Sequence, residues 1–222
     1  MTLPIPPIPR SLYTRPEAFF FPLNDGTPIL LGPVIPDDAD RIRVGLSRMS
    51  SISKYLRFFT ATPTLTDEQL HYLTHVDQIN HVAWCATDPT TPTLDGLGLG
   101  RFVRSPAEPD TAEFAIAVID SHQRRGLGAI LLAMLCLQAS QRHIRTLRGL
   151  VLPENDFLHN WMYALDARIR RTPDVYEVDL PIPTPDPDLC PTAAQQHILR
   201  TMFQLRIAMS HTIAEKPCKG SL

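Results

Sequence analysis

The chain has 222 residues and a mass of 24.9 kDa, with 44% apolar and 20% charged residues, which excludes wholesale disorder and suits one substantial domain. A net charge of −2 offers no field to hold a polyanion, so no nucleic-acid partner is expected. The longest apolar run, Ala129–Leu137, has nine residues, too few to span a bilayer, and no basic stretch leads into an apolar segment at the N-terminus. No membrane partner is expected, and a cytoplasmic location is the default.

Prolines divide the chain: nine of the 22 fall in residues 1–36 and seven in 173–217. Met1–Pro9 is too proline-dense for a helix or a central strand and reads as an extended arm. Thr27–Val34 reads as a short strand. Asp37 and Asp38 then head a helix carrying Ile42, Leu46 and Met49 on one face. A second helix covers Leu65–Thr74, with Thr66 and Gln69 spaced as a capping box. His81–Thr87 is a strand, and Leu97–Arg104 with Glu113–Val118 form a hairpin. A helix over about 126–142, a strand at Thr146–Leu152, a helix over about 155–165 and a strand near Val175–Leu180 follow. Mixed strands and helices without strict alternation give an α+β class with a partly antiparallel sheet. Pro181–Pro191 reads as a semi-rigid linker. Beyond it, Ile198, Met202, Leu205 and Met209 make a helical stripe that docks on the domain or on a second subunit, so an oligomer through this helix is open.

The four cysteines, Cys85, Cys136, Cys190 and Cys218, are widely spaced and read as free thiols. His71, His75 and His81 cluster in sequence but straddle a helix end and a strand, so no metal is expected.

The stretch from Glu113 to Ser140 carries the chemistry. An apolar strand ending at Val118 turns into Gln123-Arg124-Arg125-Gly126-Leu127-Gly128, followed by the wholly apolar Ala129–Leu137. A helix without charge for so long is buried all round. Its first turn instead holds two glycines, two arginines and a glutamine. Unpaired N–H groups and the positive end of the helix dipole suit that turn to an anion, most simply a phosphate. The loop is neither a Walker A motif nor a dinucleotide fingerprint.

This Gln-x-x-Gly-x-Gly pattern, five residues after a strand, resembles the pyrophosphate-binding motif of the GNAT N-acetyltransferase family. Gly96–Arg104, Val151–Asn155, Ser50–Phe59 and Leu73–Asp77 extend the resemblance, the last two toward the bacterial Pat-type protein lysine acetyltransferases. The resemblance covers roughly residues 28–182. It implies a GNAT domain over residues 27–182, between a proline-rich arm (1–26) and a proline linker with a C-terminal helix (183–222). It also implies a mixed, mostly antiparallel sheet, splayed at an acetyl-CoA site, with helices on both faces.

By the same resemblance, Ile116, Ala117 and Val118 pair with the pantetheine arm of acetyl-CoA. Gln123, Arg124, Arg125, Gly126, Leu127, Gly128 and Ala129 wrap its pyrophosphate, and Asn155 bonds near the thiol. Gln123 and Asn155 have plain alternatives as helix caps. Acyl transfer needs a neutral amine, and with a lysine pKa near 10.4 only about four molecules in ten thousand are neutral at pH 7. A base is therefore required. Glu113 matches the family's base; the alternative is an ion pair across the hairpin with Arg101 or Arg104. Where many members carry a tyrosine acid this chain has Met162, with Tyr163 next to it as the candidate. Asp166 stands where the family has a helix-ending glycine, in a left-handed position that Asp tolerates. The function implied is acetyl transfer to a primary amine, favouring a protein lysine. A small-molecule amine or a non-catalytic acyl-CoA-binding module are the alternatives.

Overall fold

Largely apolar strand segments within positions 81–118 build the centre of the molecule. The structure, a computed structural model, describes residues 17–60, 64–91, 93, 95–184 and 190–214. Met1–Pro9 and residues 185–189 of the proline linker lie outside these. The sheet contains β1 (Phe19–Pro22), β2 (Pro28–Pro33), β3 (His81–Thr87), β4 (Gly96–Arg104), β5 (Thr111–Val118), β6 (Thr146–Val151), β7 (Arg168–Arg171) and β8 (Tyr176–Pro181). Their spatial order is β1-β2-β3-β4-β5-β6-β8-β7. All neighbours are antiparallel except β5 and β6. That parallel pair needs a crossover, and α4 (Leu127–Ser140) lies within it. The remaining helices of the described residues are α1 (Ala39–Ser47), α2 (Ser51–Phe58), α3 (Asp67–Thr74), α5 (Asp156–Ala164) and α6 (Ala193–Ala214).

The two faces of β4 separate the layers. Gly98 and Gly100 turn toward α4, where added Cβ atoms would stand 3.0 Å from Leu131 Cδ1 and 3.4 Å from Leu131 Cβ. The alternate residues Leu99 and Arg101 face a cavity that Ile42, Leu46, Phe58 and Leu73 of α1, α2 and α3 also line. This is the α+β arrangement with helices on both faces that the sequence implies. Leu127 and every residue from Ile130 to Ala139 are buried, which explains a helix with no charged face. The stripe on α6 packs onto the same core: Ile198 and Leu205 are buried and Met202 and Met209 lie against them.

Several local expectations meet their geometry. Thr66 accepts from the Gln69 N–H at 3.2 Å, and Gln69 Oε1 accepts from the Thr66 N–H at 2.9 Å, a complete capping box. Asp38 behaves differently. Its Oδ2 accepts from the Ile35 N–H at 2.9 Å and its Oδ1 pairs with Arg41 at 2.8 Å, so a 3-10 turn over Pro36–Asp38 enters α1 without a side-chain cap.

Three elements go beyond the sequence reading. β1 falls inside the span read as an arm, where Phe19 and Phe21 point inward and Pro22 ends an edge strand. Ser50 caps α2, accepting from the Ser53 N–H at 3.1 Å. β7 is an edge strand with three arginines, a charge pattern that blunts an edge.

Asp166 has φ +60°, as its position after α5 demands, and the Ala167 N–H reaches back to the Met162 carbonyl at 3.0 Å. Asp166→Gly relieves the Cβ penalty of that conformation. It is expected to stabilise the fold by up to about 1 kcal/mol, a rise of roughly 2–4 °C in Tm, measurable by calorimetry.

Candidate active site

The parallel pairing of β5 and β6 lasts only three residues, Thr111–Glu113 against Thr146–Arg148. β5 stays paired with β4 through Val118, and β6 stays paired with β8 through Val151. The two strands therefore part after Glu113, leaving one edge of Phe114–Val118 without a strand partner. The Phe114 ring sits in the fork: a Cβ on Gly149 would lie 2.8 Å from Phe114 Cε1, so a side chain there collides with the ring. Ile116, Ala117 and Val118 all lie on this opened edge and are half-buried.

The loop after β5 brings the amino terminus of α4 to the opening. Gly126 is its N-cap at φ +92°, and no side chain caps this end. The first intrahelical bond runs from the Ile130 N–H to the Gly126 carbonyl at 3.0 Å, so the N–H groups of Leu127, Gly128 and Ala129 precede it. No acidic residue occupies the first turn to offset the dipole. Leu127 contributes backbone alone, because its side chain is buried in the core. Gly128 is open: an added Cβ would meet only Trp161 Cη2, at 4.0 Å. Gly126 is not, since a Cβ there would stand 2.6 Å from Asn24 Oδ1.

The polar side chains of the loop divide their work. Arg125 donates to Asp25 Oδ2 and to Thr27 Oγ1, both at 2.8 Å, and its guanidinium holds the Asp25 carboxyl well below the usual carboxylate range. It thus ties the loop to the β1–β2 turn. Arg124, at φ +57°, is exposed and has no ion-pair partner among the described residues. The Gln123 side chain donates to Ser53 Oγ at 3.0 Å and to the Val118 carbonyl at 3.1 Å. These bonds brace the loop against α2 and are not a cap on α4. Asp120 adds to the brace, accepting from the Ser50 N–H at 2.8 Å and from the Ser50 and Ser53 hydroxyls at 2.7 and 2.9 Å. Burial alone would raise the Asp120 pKa, but these hydrogen bonds prevail and lower it.

Glu113 is exposed and is the last residue of β5 paired to β6. It has the same strand parity as Ala115 and Ala117, which line the cavity under α1–α3, so it belongs to that face. Neither expected hairpin ion pair forms: Arg104 donates to the carbonyls of Pro109 and Arg142, and Arg101 to the Tyr72 hydroxyl. Asn155 caps α5, its Oδ1 accepting from the Leu158 N–H at 3.1 Å. One residue before it, Glu154 Oε1 accepts from the Tyr55 hydroxyl of α2 at 3.4 Å. Tyr163 and Met162 differ in burial. Tyr163 is 78% exposed on α5, while Met162 beside it is buried.

Arg57 of α2 also belongs to this region. Its Nε is buried without a hydrogen-bond partner, and its guanidinium pKa falls to about 10 through burial and the nearby Arg101, against the pull of Glu113. The only sequence signal was its place in the Ser50–Phe59 segment.

Comparison with known proteins places this geometry. Over 162 residues, 71% of this chain, the sequence is 30% identical to the acetyltransferase Pat of Mycolicibacterium smegmatis. The GNAT domain of the S. lividans PAT protein matches at 28% identity with a TM-score of 0.67, covering 76% of this chain and 99% of that one. The chain belongs to the GNAT family. Within the GNAT proteins it stands near the Pat type, and it spans about half the length, 48%, of the M. smegmatis relative. A putative acetyltransferase from Salmonella typhimurium, solved with its cofactor acetyl-CoA, matches at 14% identity with a TM-score of 0.55, covering 74% of this chain and 98% of that one. That likeness shows the shared fold alone. No protein-family model matches the sequence.

Proposed function

We propose that the protein is an N-acetyltransferase that moves an acetyl group from acetyl-CoA to a primary amine, with a protein lysine as the favoured acceptor. The observation that carries this reading is the fork after Glu113, which opens beside the uncapped amino terminus of α4. The coenzyme's pantetheine amides would complete the vacant edge of Ile116–Val118 as an added strand. Its pyrophosphate would accept from the N–H groups of Leu127–Ala129, with the helix dipole adding to their attraction. Arg124 supplies a further positive charge at the rim. Asn155 caps α5, and its Nδ2 has no hydrogen-bond partner among the described residues, so it is available near the thioester.

Transfer then needs a proton acceptor on the side from which the amine arrives. Glu113 lies at the tip of the fork, is exposed to solvent and is not engaged in an ion pair among the described residues. As the amine nitrogen attacks the thioester carbonyl, its proton passes to Glu113, directly or through a water, and the C–S bond breaks to release CoA. We assign no role to Tyr163, which is largely exposed; Tyr163→Phe is expected to change kcat by less than about threefold.

The phosphate assignment separates the two arginines. Arg124→Gln removes a free charge, so it should weaken coenzyme binding a few-fold and flatten its salt dependence. Arg125→Met loosens the loop from Asp25 and Thr27 instead, and should weaken binding without flattening that dependence. Titrations of CoA at two ionic strengths decide between these patterns. Equal salt slopes for wild type and Arg124→Gln would remove Arg124 from the site.

A further inference from the structure

The cavity beneath α1, α2 and α3 has a volume of about 80 Å³ and a chiefly apolar lining that includes Leu46, Met49, Phe58, Ala115 and Ala117. Charged residues enter it at two places. Asp38 and Arg41 form an ion pair at 2.8 Å and satisfy each other. Arg57 and Arg101 bring two guanidiniums and no carboxylate within ion-pair distance among the described residues. Arg57 is half-buried with its guanidinium 5.0 Å from the Phe58 ring centroid, and its Nε is buried and unpartnered; among the described residues the Arg101 side chain has the Tyr72 ring, 5.0 Å from its centre, and the Tyr72 hydroxyl at 3.4 Å. The positive field reaches His81, whose imidazole burial and Arg101 together hold below its usual range. A buried guanidinium nitrogen left without a hydrogen bond costs stability, and a carboxylate is its natural complement.

We infer that Arg57 and Arg101 form an acceptor subsite for a carboxylate, so that the amine substrate carries an acidic group beside its nucleophilic nitrogen. This rests on the acetyltransferase reading for its purpose, though not for its existence. Ala115 and Ala117 of the cavity wall continue the face of β5 that bears Glu113, so an acceptor whose carboxylate enters the cavity brings its amine toward that residue. The volume suits a carboxylate on a short stem, such as an aspartate next to a target lysine or the α-carboxylate of an amino acid.

The test uses matched product-like probes. One pair is a short peptide with a central Nε-acetyl-lysine flanked by aspartate or by asparagine; the other is free Nε-acetyl-lysine and its carboxamide. Binding is measured calorimetrically with and without saturating CoA. The carboxylate member of at least one pair should bind roughly 10- to 100-fold more tightly, as expected for a charge-assisted bond to a buried group. The pair that responds identifies the source as peptide or small amine. Arg57→Met and Arg101→Met should each abolish the preference, with Tm unchanged or raised for Arg57→Met because a half-buried charge with an unpaired buried nitrogen is removed. No preference within either pair, or a preference that survives both substitutions, overturns the subsite. Absence of any CoA-induced rise in Tm on the same samples would instead overturn the acetyltransferase reading, leaving the carboxylate preference to stand or fall on its own.

Discussion

Glu113→Gln is expected to lower kcat by roughly 10²–10⁴ at neutral pH, the usual contribution of a positioned base. The amide keeps the size and hydrogen-bonding capacity of the side chain but cannot take the proton. Coenzyme affinity should survive, because the backbone from Ile116 onward and the amino terminus of α4 hold the coenzyme in this reading. Part of the lost rate should return at high pH, where the amine deprotonates without help. A purely structural carboxylate predicts the reverse, a lower Tm and an unchanged pH profile. Near-wild-type kcat at pH 7 would exclude Glu113 as the base and leave a water relay as the next candidate.

Gly128→Glu is expected to abolish coenzyme binding while leaving the fold at least as stable. Space exists for the side chain, with Trp161 Cη2 4.0 Å from the new Cβ. The first turn of α4 carries no acidic residue, so a carboxylate there complements the helix dipole. The same carboxylate occupies the place proposed for the pyrophosphate and repels it. In the wild type, CoA at 100 times its Kd should add about 2.7 kcal/mol of stability, a shift of roughly 5–10 °C for a chain of this size. The variant should show no shift and an equal or higher starting Tm. A retained shift would place the coenzyme elsewhere. Substituting Gly126 is a poorer test, because its φ of +92° and the contact with Asn24 would damage the loop itself.

The sequence revealed most where local chemistry decides structure. Thr66 and Gln69 announced a capping box, the short apolar run from His81 to Thr87 marked β3 to its ends, and the charge-free run after Gly128 required a helix buried on every side. Tertiary context decided the rest. β1 escaped notice because prolines surround it and only its place at a sheet edge tolerates them. α2 does carry apolar residues at helical spacing, Ile52, Tyr55, Leu56 and Phe59, but Ile52, Tyr55 and Phe59 are exposed; its Ser50 cap and its Asp120 and Gln123 contacts hold it in place, and these contacts cross about seventy residues of sequence.

The candidate site divides in the same way. The glycines and the strand before them were legible. The engagement of Arg125 with Asp25, of Gln123 with Ser53 and the isolation of Arg57 were not, since each depends on partners distant in the chain. Asn155 proved to be the cap that its residue type suggested, whatever else it binds.

The most direct measurement of the central claim is mass spectrometric detection of acetylated product alongside CoA release, using purified protein, acetyl-CoA and a panel of lysine peptides and small amines. The account predicts stoichiometric thioester cleavage and amine acetylation, both depending on Glu113. Firm acetyl-CoA binding with no product from any acceptor, and no difference between wild type and Glu113→Gln, would contradict it and mark the protein as a coenzyme-binding module without catalysis.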